Sequence, residues 1–442
     1  MGQLFGTDGI RGVANTELTP ELAVGLGRAV VRTLREEGVA RPRIAVGRDP
    51  RVSGEMLEAA LVAGTCSAGG DVIPLGVLPT PGVANLTVAL GADSGAMISA
   101  SHNPVGDNGI KFFGADGYKL TDAEEYRVEE LLQTTAEDRP TGAEIGRVTP
   151  EPGAVDAYAD RLVAAGADLG GLRVVMDCAD GAASAIAPTV LRRLGAEVTA
   201  IHNTPDGTNI NDGCGSTYPE TVARAVVEHG ADVGLAYDGD ADRLIAADHT
   251  GAVVDGDAIL AVLAQQMHAA GRLDTVVTTV MTNLGFHHAM DDLGIAVVTT
   301  RVGDRYVLEE MRAHGYPLGG EQSGHVILAD HSTTGDGILT AVRLLSAMTT
   351  SGRPVAELAA IMRRLPQVLV NVRGVDRTRL AGAEPLWEAV AKEEAELAGT
   401  GRVLVRASGT EPLVRVMVEA DTQARAAAIA ERLAAVAADE LR

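Results

Sequence analysis

The segment Val233-Gly-Leu-Ala-Tyr-Asp-Gly-Asp-Ala-Asp242 joins a short apolar run to a loop dense in carboxylates. An apolar run of this length predicts a buried strand. Open α/β sheets place their ligands just past the carboxyl ends of such strands. Two other strand candidates lead into polar loops, Ala96–Ser99 before Ser101-His-Asn-Pro104 and Tyr316–Leu318 before Gly320-Glu-Gln-Ser-Gly-His325. The same arrangement therefore occurs three times along the chain.

Each of these segments is the third strand candidate of a longer pattern, with Ala- and Leu-rich helical stretches between the strands. The first strands of the three copies are Arg43–Gly47, Arg173–Asp177 and Thr275–Thr279, and the second are Gly70–Ile73, Gly195–Val198 and Gly294–Val297. Three copies of one α/β unit are the simplest explanation. Chance repetition in an Ala-, Gly- and Val-rich chain is the alternative, and the matching loop positions favour the repeat. Three such units could direct three loops at one cleft.

The remaining chain predicts a smaller α+β domain. Its strand candidates are Val368–Arg373, Arg402–Arg406 and Val414–Glu419, and Gln423–Leu441 closes it as a helix. Pro- and Gly-rich stretches mark breaks near 150, 251–256 and 365. We therefore predict four domains, 1–152, 153–253, 254–365 and 366–442.

Composition excludes several classes of protein. The 442 residues include 37 Lys and Arg against 60 Asp and Glu, and the net charge of −23 repels polyanions. With 3% aromatic residues, base-stacking platforms are not expected either. We predict no nucleic-acid partner, and any residues that bind phosphate must be local exceptions to the overall charge.

Cysteines and apolar segments bear on the compartment. Cys66, Cys178 and Cys214 form no CxxC pair, so the sequence predicts neither a disulfide framework nor a zinc site. The longest uncharged stretch, 72–92, is interrupted by prolines, and no basic segment followed by an apolar one opens the chain. We expect a cytoplasmic protein with reduced thiols and no membrane association.

The carboxylates of Asp238, Asp240 and Asp242 are the sharpest chemical signal. In an extended backbone, every second side chain points to the same face, which would place the three together. All-oxygen ligands favour a hard cation, Mg²⁺ or Ca²⁺. An EF-hand is excluded because its glycine and glutamate positions are occupied by Arg243 and His249. A magnesium site acting on a phosphate is favoured over a solvated acidic turn, and Arg243 could add positive charge beside a phosphoryl oxygen.

A second phosphate-binding candidate is Arg406-Ala-Ser-Gly-Thr-Glu-Pro412, followed by Arg415. Small residues free the backbone N–H groups, Ser408 and Thr410 offer hydroxyls, and the two arginines can each hold oxygens through paired donors. It is not a Walker A loop, because no Gly-Lys-Ser/Thr follows. The alternative is an ordinary turn between secondary-structure elements.

Other loops are ambiguous when read alone. Ser101 is either a helix cap or a phosphate carrier, and the residues alone favour the cap. Glu321 and Ser323 are typical partners of sugar hydroxyls, and His325 has a pKa suited to proton transfer, although a lone histidine is more often structural. Burial could lower the Lys111 pKa into the acid/base range; the alternative is a lysine at a strand edge.

Together these motifs resemble the α-D-phosphohexomutase superfamily. The resemblance rests, in order, on Phe5-Gly-Thr-Asp-Gly-Ile-Arg-Gly12, Ser99-Ala-Ser-His-Asn-Pro104, Asp238-Gly-Asp-Ala-Asp-Arg243, Gly319-Gly-Glu-Gln-Ser-Gly-His325 and Arg406-Ala-Ser-Gly-Thr-Glu-Pro412, and it spans essentially the whole chain. It implies three related α/β domains with mixed sheets and a smaller C-terminal α+β domain around a central cleft. The first and fourth motifs, with Val302-Gly-Asp-Arg-Tyr-Val307, look like the glucosamine branch, whereas other branches commonly carry His where Asp304 stands.

The resemblance also implies a mechanism and a set of site residues. Ser101 would be a phosphoserine, and one Mg²⁺ per subunit would be bound by its phosphate with Asp238, Asp240 and Asp242. Arg11, Lys111 and Arg243 would stabilise charge, and His325 and Lys111 are the candidates for proton transfer. The implied substrate-binding residues are Asp304, Glu321, Ser323, Arg406, Ser408, Gly409, Thr410 and Arg415.

The implied reaction interconverts glucosamine 6-phosphate and glucosamine 1-phosphate through a sugar 1,6-bisphosphate, for UDP-N-acetylglucosamine and cell-wall synthesis. The partner would be a phosphorylated hexosamine, and the protein a monomer or a homodimer. Three alternatives stay open: the phosphomannomutase/phosphoglucomutase branch, a Mg²⁺-dependent sugar phosphatase, and a non-catalytic sugar-phosphate sensor. The Asp triplet and Ser101 argue against the sensor, because binding alone requires no metal-linked nucleophile.

Overall fold

The computed structural model describes residues 4–6, 8–134, 139–408 and 413–442. The chain divides into two compact units. The first comprises Met1–Val280 and Ile295–Ala360, and the second comprises Met281–Gly294 and Ile361–Arg442. Among the described residues, no helix combines the length and apolar character needed to cross a bilayer.

The first sheet of the larger unit has five strands in the order β1-β5-β4-β2-β3. Its elements are β1 (Ile10–Val13), α1 (Pro20–Glu36), β2 (Arg43–Arg48), α2 (Val52–Ser67), β3 (Asp71–Val77), α3 (Thr80–Ala89), β4 (Ser94–Ile98), β5 (Asp107–Gly114) and α4 (Asp122–Leu132). Strand β2 runs parallel to β3 and β4, whereas β5 is antiparallel to β4.

The second sheet repeats this arrangement in the order β10-β9-β8-β6-β7. After a 3₁₀ turn at Gly142–Glu144, the elements are α5 (Ala154–Ala164), β6 (Arg173–Asp177), α6 (Ala183–Arg193), β7 (Glu197–Ile201), α7 (Pro219–His229), β8 (Val233–Tyr237), β9 (Leu244–Asp248) and β10 (Val253–Val254). Strand β6 is parallel to β7 and β8, and β9 returns antiparallel to β8.

The third sheet has four strands in the order β12-β11-β13-β14. Its stretch of chain contains α8 (Gly256–Ala269), β11 (Thr275–Thr279), α9 (Leu284–Leu293), β12 (Ala296–Thr300), α10 (Asp304–His314), β13 (Leu318–Gly320), β14 (Val326–Leu328), α11 (Gly337–Ser351) and α12 (Val355–Ala359). Strand β11 is parallel to β12 and β13, and β14 is antiparallel to β13.

The three sheets share one topology, which confirms the predicted repeat of related α/β units with mixed sheets. In each, the first strand lies between the second and the third, and the polar loop joins the third strand to an antiparallel return strand. One strand starts later than predicted, because β13 begins at Leu318 and not at Tyr316. Pro317 has no N–H to donate to a ladder, which explains the shorter strand.

Helix α1 illustrates how local sequence and packing combine. Thr19 caps it by accepting a hydrogen bond from the Leu22 N–H, and Pro20 occupies its first turn. It packs closely on α2, where a Cβ on Gly64 would lie 2.2 Å from the Val24 carbonyl oxygen. Glycine is therefore required at this contact, which anchors α2 beside the first sheet.

The smaller unit contains a three-stranded antiparallel sheet in the order β15-β17-β16. Besides α9, which lies in the Met281–Gly294 segment, its elements are β15 (Gln367–Arg373), a 3₁₀ turn at Arg377–Gly382, α13 (Glu384–Leu397), β16 (Arg402–Ala407), β17 (Leu413–Glu419) and α14 (Gln423–Glu440). Alternating valines of β17 pack with Leu386 of α13 and Ile429 of α14. The predicted α+β domain is confirmed, with α13 as an element that the sequence analysis did not assign.

Candidate active site

Ser101 lies just past the carboxyl end of β4 and is buried. Its backbone φ of +52° is in the left-handed region, which residues other than glycine rarely adopt. The Ser101 N–H donates to Ser99 Oγ over 2.9 Å, and the Ser101 Oγ donates to Asp238 Oδ2 over 2.6 Å. The structure therefore brings the serine of the first sheet onto the carboxylate loop of the second.

The three carboxylates of that loop are buried and offer oxygens within 4.8 Å of one another. The prediction that an extended backbone collects them is wrong, because the chain turns between Asp238 and Asp242. Ala241, with φ +55°, supplies the left-handed step of this turn. The sequence thus predicted the cluster but not the backbone conformation that forms it.

The loop fits a bound cation. Within the described part of the chain, Oδ1 of Asp240 and Oδ1 of Asp242 are buried and have no hydrogen-bond partner. Burial raises the pKa of Asp238 well above its ordinary value, and the charges of Asp242 and Asp240 raise it further. A metal ion would compensate this concentration of negative charge, and three carboxylates are the ligands of a hard cation.

Lys111 projects from β5 between two carboxylates. Its Nζ lies 3.0 Å from Asp240 Oδ2 and 2.9 Å from Asp8 Oδ2. Burial alone would lower the Lys111 pKa, but Asp240 and Asp8 raise it above its ordinary value. The prediction that burial brings this pKa into the acid/base range is therefore wrong, because an ammonium held by two carboxylates does not release its proton near neutral pH.

Asp8 and Lys119 extend this ionic network, and the sequence analysis missed both as site residues. Lys119 Nζ lies 2.6 Å from Asp8 Oδ1 and 2.5 Å from Asp304 Oδ2, and Arg11 of β1 also pairs with Asp8. Burial would raise the Asp8 pKa, but Lys111, Lys119 and Arg11 hold it well below its usual range. Asp304, predicted as a substrate contact, therefore has its carboxylate held by a largely buried ammonium.

His325 lies in the loop between β13 and β14 and is buried. Its Nε2 accepts the Gly335 N–H over 3.0 Å, so the proton of the neutral ring is assigned to Nδ1. Nδ1 lies 3.5 Å from Asp242 Oδ2. Burial lowers the His325 pKa, but Asp242, Asp304 and other carboxylates outweigh it and raise the value. The ring is thus oriented toward a carboxylate of the candidate metal site.

The loops of the second and third sheets also meet through their backbones. Arg243 and His325 form an antiparallel bridge, and the Leu244 N–H donates to the Gly324 carbonyl over 3.0 Å. Burial raises the pKa of Glu321, whose Oε1 accepts the Gly303 N–H over 3.1 Å. Ser323 is exposed at the tip of the same loop.

Arg243 is the residue that follows Asp242, the last carboxylate of the triplet, in the sequence. Its Nε lies 3.7 Å from Asp242 Oδ1 and, among described residues, has no hydrogen-bond partner. Burial would lower its pKa, but Asp242, Asp238 and Glu321 raise it. A permanently charged guanidinium therefore stands beside the carboxylates with a donor available.

Two residues that hold the Ser101 loop were also missed by the sequence analysis. Arg51 is fully buried and donates to the Ser101 carbonyl, and Asn211 Nδ2 donates to the same oxygen over 2.9 Å. Arg51 lies in the short loop between β2 and α2, so the rule that ligand-binding loops follow strands could have identified it.

In the smaller unit, Arg406 of β16 is paired in register with Arg415 of β17. Burial and the Arg415 charge lower the pKa of Arg406. Like charges directly opposite each other destabilise a strand pair, so this pairing of two arginines is unusual. Ser408 is buried at the end of β16, whereas Gly409 and Thr410 lie outside the described residues.

Comparisons with known proteins match the whole chain. Four family models described as phosphoglucomutase/phosphomannomutase match it: alpha/beta/alpha domain I at residues 2–139, domain II at 155–251, domain III at 255–365 and the C-terminal domain at 369–436. A phosphoglucosamine mutase of Frankia casuarinae is 58% identical, with 99% of this chain and 98% of the relative covered. One of Thermobifida fusca is also 58% identical, over 100% of this chain and 99% of the relative.

The chain belongs to the phosphoglucosamine mutase family. These enzymes are isomerases of the phosphohexomutase group, so the resemblance inferred from the motifs is confirmed. A solved phosphoglucomutase/phosphomannomutase family protein of Burkholderia thailandensis has the same fold, with a TM-score of 0.83, 25% identity, and 98% of this chain and 97% of that chain covered. The domain bounds 1–152, 153–253, 254–365 and 366–442 stay a prediction for this member of the phosphoglucosamine mutase family.

Proposed function

We propose that the chain catalyses the interconversion of glucosamine 6-phosphate and glucosamine 1-phosphate through a phosphoserine at Ser101. The observation that carries the proposal is the 2.6 Å contact between Ser101 Oγ and Asp238 Oδ2, which places a serine hydroxyl at a buried carboxylate triplet. A phosphate on that oxygen would stand where a cation bound by the triplet could neutralise it.

The reaction consists of two phosphoryl transfers. In the first, the bond from phosphorus to Ser101 Oγ breaks, a bond to the sugar hydroxyl forms, and the hydroxyl proton passes to an acceptor. The product is a sugar 1,6-bisphosphate, which also serves as activator. In the second transfer, its other phosphoryl group returns to Ser101. Both transfers need stabilisation of charge on the phosphoryl oxygens.

One Mg²⁺ per subunit would be held by Asp238, Asp240 and Asp242 together with the Ser101 phosphate. When bound, it supplies positive charge to the transferring phosphoryl group. The chain itself supplies Arg243, Lys111 and Arg11 for the same purpose. Lys111 acts here as a fixed charge, since its raised pKa makes it unsuitable as the acceptor of a proton.

His325 is the remaining candidate for proton transfer. Its Nδ1 faces Asp242, and its Nε2 would have to exchange the Gly335 N–H for a substrate proton. The same ring also positions Asp242. His325→Asn should therefore lower kcat, because it removes the proton acceptor and also the contact that positions Asp242. A kcat for that variant equal to the parent value would remove His325 from the mechanism.

Substrate recognition is assigned to two groups of residues. Asp304, Glu321 and Ser323 are proposed to meet the sugar, with Lys119 holding the Asp304 carboxylate in place. Arg406, Ser408, Gly409, Thr410 and Arg415 are proposed to bind the phosphate that is not being transferred. The in-register arginine pair supports this assignment, because it brings two guanidinium groups together, and guanidinium groups bind phosphate oxygens through paired donors. Arg406→Gln should therefore raise KM more than it lowers kcat.

Product analysis by phosphorus NMR tests the function. The full chain, with Mg²⁺ and a trace of sugar bisphosphate, is given glucosamine, glucose or mannose 6-phosphate at equal concentration. Preferred formation of glucosamine 1-phosphate supports the proposal. Free phosphate as main product indicates a phosphatase, preference for glucose or mannose indicates the neighbouring branch, and no turnover indicates a sensor.

The phosphoserine step has its own test. Ser101→Ala should abolish turnover and labelling of the protein by phosphate while leaving the unfolding temperature within a few degrees. Ser67→Ala, at the end of α2, is the matched control and should keep both. Turnover of the Ser101→Ala variant near the parent rate would contradict the mechanism.

Oligomeric state and location need separate measurements. Light scattering on the parent protein distinguishes monomer from homodimer, and cell fractionation tests the predicted cytoplasmic location.

A further inference from the structure

A carboxylate, an imidazole and a thiol meet beside the second sheet, apart from the Asp triplet. Asp177 ends β6, His202 follows β7, and Cys214 lies in the loop before α7. One ligand atom from each lies within 4.8 Å of the other two. Asp177 and Cys214 are buried, whereas the His202 side chain is 36% exposed. The cluster therefore has a buried side and a side open to solvent.

The contact between Asp177 and His202 brings two potential ligand atoms together. Asp177 Oδ1 and His202 Nδ1 are 3.2 Å apart, yet Nδ1 is buried and has no hydrogen-bond partner among the described residues. Two ligands of one tetrahedral zinc ion, each about 2.0 Å from the metal, are separated by about 3.3 Å. The observed spacing of 3.2 Å therefore fits two ligands of one ion.

Asp177 is also oriented as metal ligands are. Its Oδ1 accepts the Ala179 N–H over 3.0 Å, and its Oδ2 accepts the Gly215 N–H over 2.9 Å. A carboxylate oxygen has two lone pairs, so each oxygen keeps one after these contacts. Hydrogen bonds of this kind fix the direction of a ligating group.

We propose that Asp177, His202 and Cys214 form a second metal site, which binds a zinc-type divalent transition-metal ion through one oxygen, one nitrogen and one sulfur. The fourth position opens to solvent beside the exposed edge of His202. A mixed donor set with a thiolate selects Zn²⁺ over Mg²⁺ and Ca²⁺, which prefer oxygen alone. The site is thus chemically distinct from the Asp triplet.

Binding is coupled to loss of the thiol proton. A cysteine ligates a metal as its thiolate, so the thiol must lose its proton on binding. When the metal–sulfur bond forms, the S–H proton passes to solvent, and affinity therefore rises with pH. Neither oxidant nor reductant is involved.

The site would act on the loop that supports Ser101. Between His202 and Cys214, Asn211 donates through Nδ2 to the carbonyl oxygens of Ser101 (2.9 Å) and Asn103 (3.1 Å). An ion bound to His202 and Cys214 would fix both ends of this segment. The sequence did not predict this site, because it contains no paired cysteines and the three ligands come from separate loops.

Cobalt spectroscopy on the full chain tests the proposal. With excess Mg²⁺ present to occupy the Asp triplet, one equivalent of Co²⁺ should produce a thiolate-to-cobalt charge-transfer band in the near ultraviolet, and Zn²⁺ should abolish it. The Asp triplet has no sulfur and cannot produce this band. Cys214→Ser should lose the band, and His202→Asn should raise the Kd by roughly tenfold or more.

Cys178→Ser is the matched control, because Cys178 is a buried thiol next to Asp177 that is not part of the cluster. It should keep the band. A band that persists in Cys214→Ser, a band lost in Cys178→Ser, or no band in the parent protein would overturn the proposal. His202 is partly exposed, so His202→Asn should fold. Zn²⁺ should raise the unfolding temperature of the parent but not of this variant, and equal shifts in both would also overturn it.

Discussion

The Arg51 guanidinium donates to the carbonyl oxygen of Ser101 over 3.0 Å from a side chain with no exposed surface. The same guanidinium reaches the carbonyl oxygens of Asn103 (2.8 Å) and Pro104 (2.5 Å). Its partner Asp49 accepts a hydrogen bond from the Ser99 hydroxyl over 2.6 Å. The Ser99 hydroxyl oxygen in turn accepts the Ser101 N–H. One buried ion pair therefore fixes both backbone groups of a residue held at positive φ, a conformation that costs about 1–3 kcal/mol.

Arg51→Lys should lower kcat by about 100-fold with little change in KM, because a single ammonium cannot reach three carbonyls and small displacements of the reacting group are costly. Steady-state kinetics and the fraction of phosphorylated Ser101 measure this. Arg43→Lys is the control, since exposed Arg43 donates to the Leu90 carbonyl. An unchanged kcat, or a loss confined to KM, would show that Arg51 does not position the serine.

Lys119→Met should destabilise the protein by about 1–3 kcal/mol, because the partly buried carboxylates of Asp8 and Asp304 each lose a hydrogen-bonded partner. Asp304→Asn in the same chain should restore part of the loss, since one of those carboxylates is then neutral. Urea unfolding of the two single variants and the double variant gives the coupling energy. Arg193→Met breaks an exposed pair with Asp160 and should cost about 0–1 kcal/mol. Additive losses from Lys119→Met and Asp304→Asn would contradict the coupling.

Most of the fold could be predicted from the sequence because its signals are local. Each strand of the repeat is a short apolar run, and in each of the three units a polar loop follows the third strand. The Asp triplet was singled out from the residues because it follows a strand directly, whereas Ser101 was singled out only through the family resemblance, since its own loop favoured a helix cap. The backbone conformation of the triplet's loop was not predictable, because a left-handed residue such as Ala241 leaves no mark in the sequence.

Contacts between distant segments were not predictable. Lys119 and Asp304 are 185 residues apart, and nothing in either neighbourhood indicates that the two side chains meet. The Lys111 pKa was predicted in the wrong direction for the same reason. Burial was foreseen, but Asp8 and Asp240, which reverse its effect, come from other parts of the chain.

The stability of the protein should depend on Asp336, the N-cap of α11, in the acidic range. Burial raises its pKa to about 6 despite hydrogen bonds from Leu339 and Tyr158. Since the folded pKa lies above the ordinary 3.8, the contribution of this group is fully present below about pH 4 and is lost as pH rises through 6. Asp336→Asn keeps a capping side chain but removes the titration.

The free energy of unfolding of Asp336→Asn, relative to the parent, should therefore increase between pH 4 and pH 7 by up to about 3 kcal/mol. Urea titrations at steps of half a pH unit measure the difference directly. A difference that stays constant over this range would show that Asp336 does not titrate there.

Gly324 should tolerate alanine far less well than Gly315, although both have positive φ, +92° and +72°. A Cβ on Gly324 would lie 2.1 Å from the Leu244 carbonyl oxygen, whereas one on Gly315 would meet no described atom within 4 Å. Gly315→Ala should therefore cost only the backbone strain of about 1–2 kcal/mol. Gly324→Ala should cost about 3 kcal/mol or more and lower kcat/KM, because it separates the loop of Glu321 and His325 from β9. Equal losses in the two variants would show that the β13–β14 loop relaxes without cost and does not depend on its contact with Leu244.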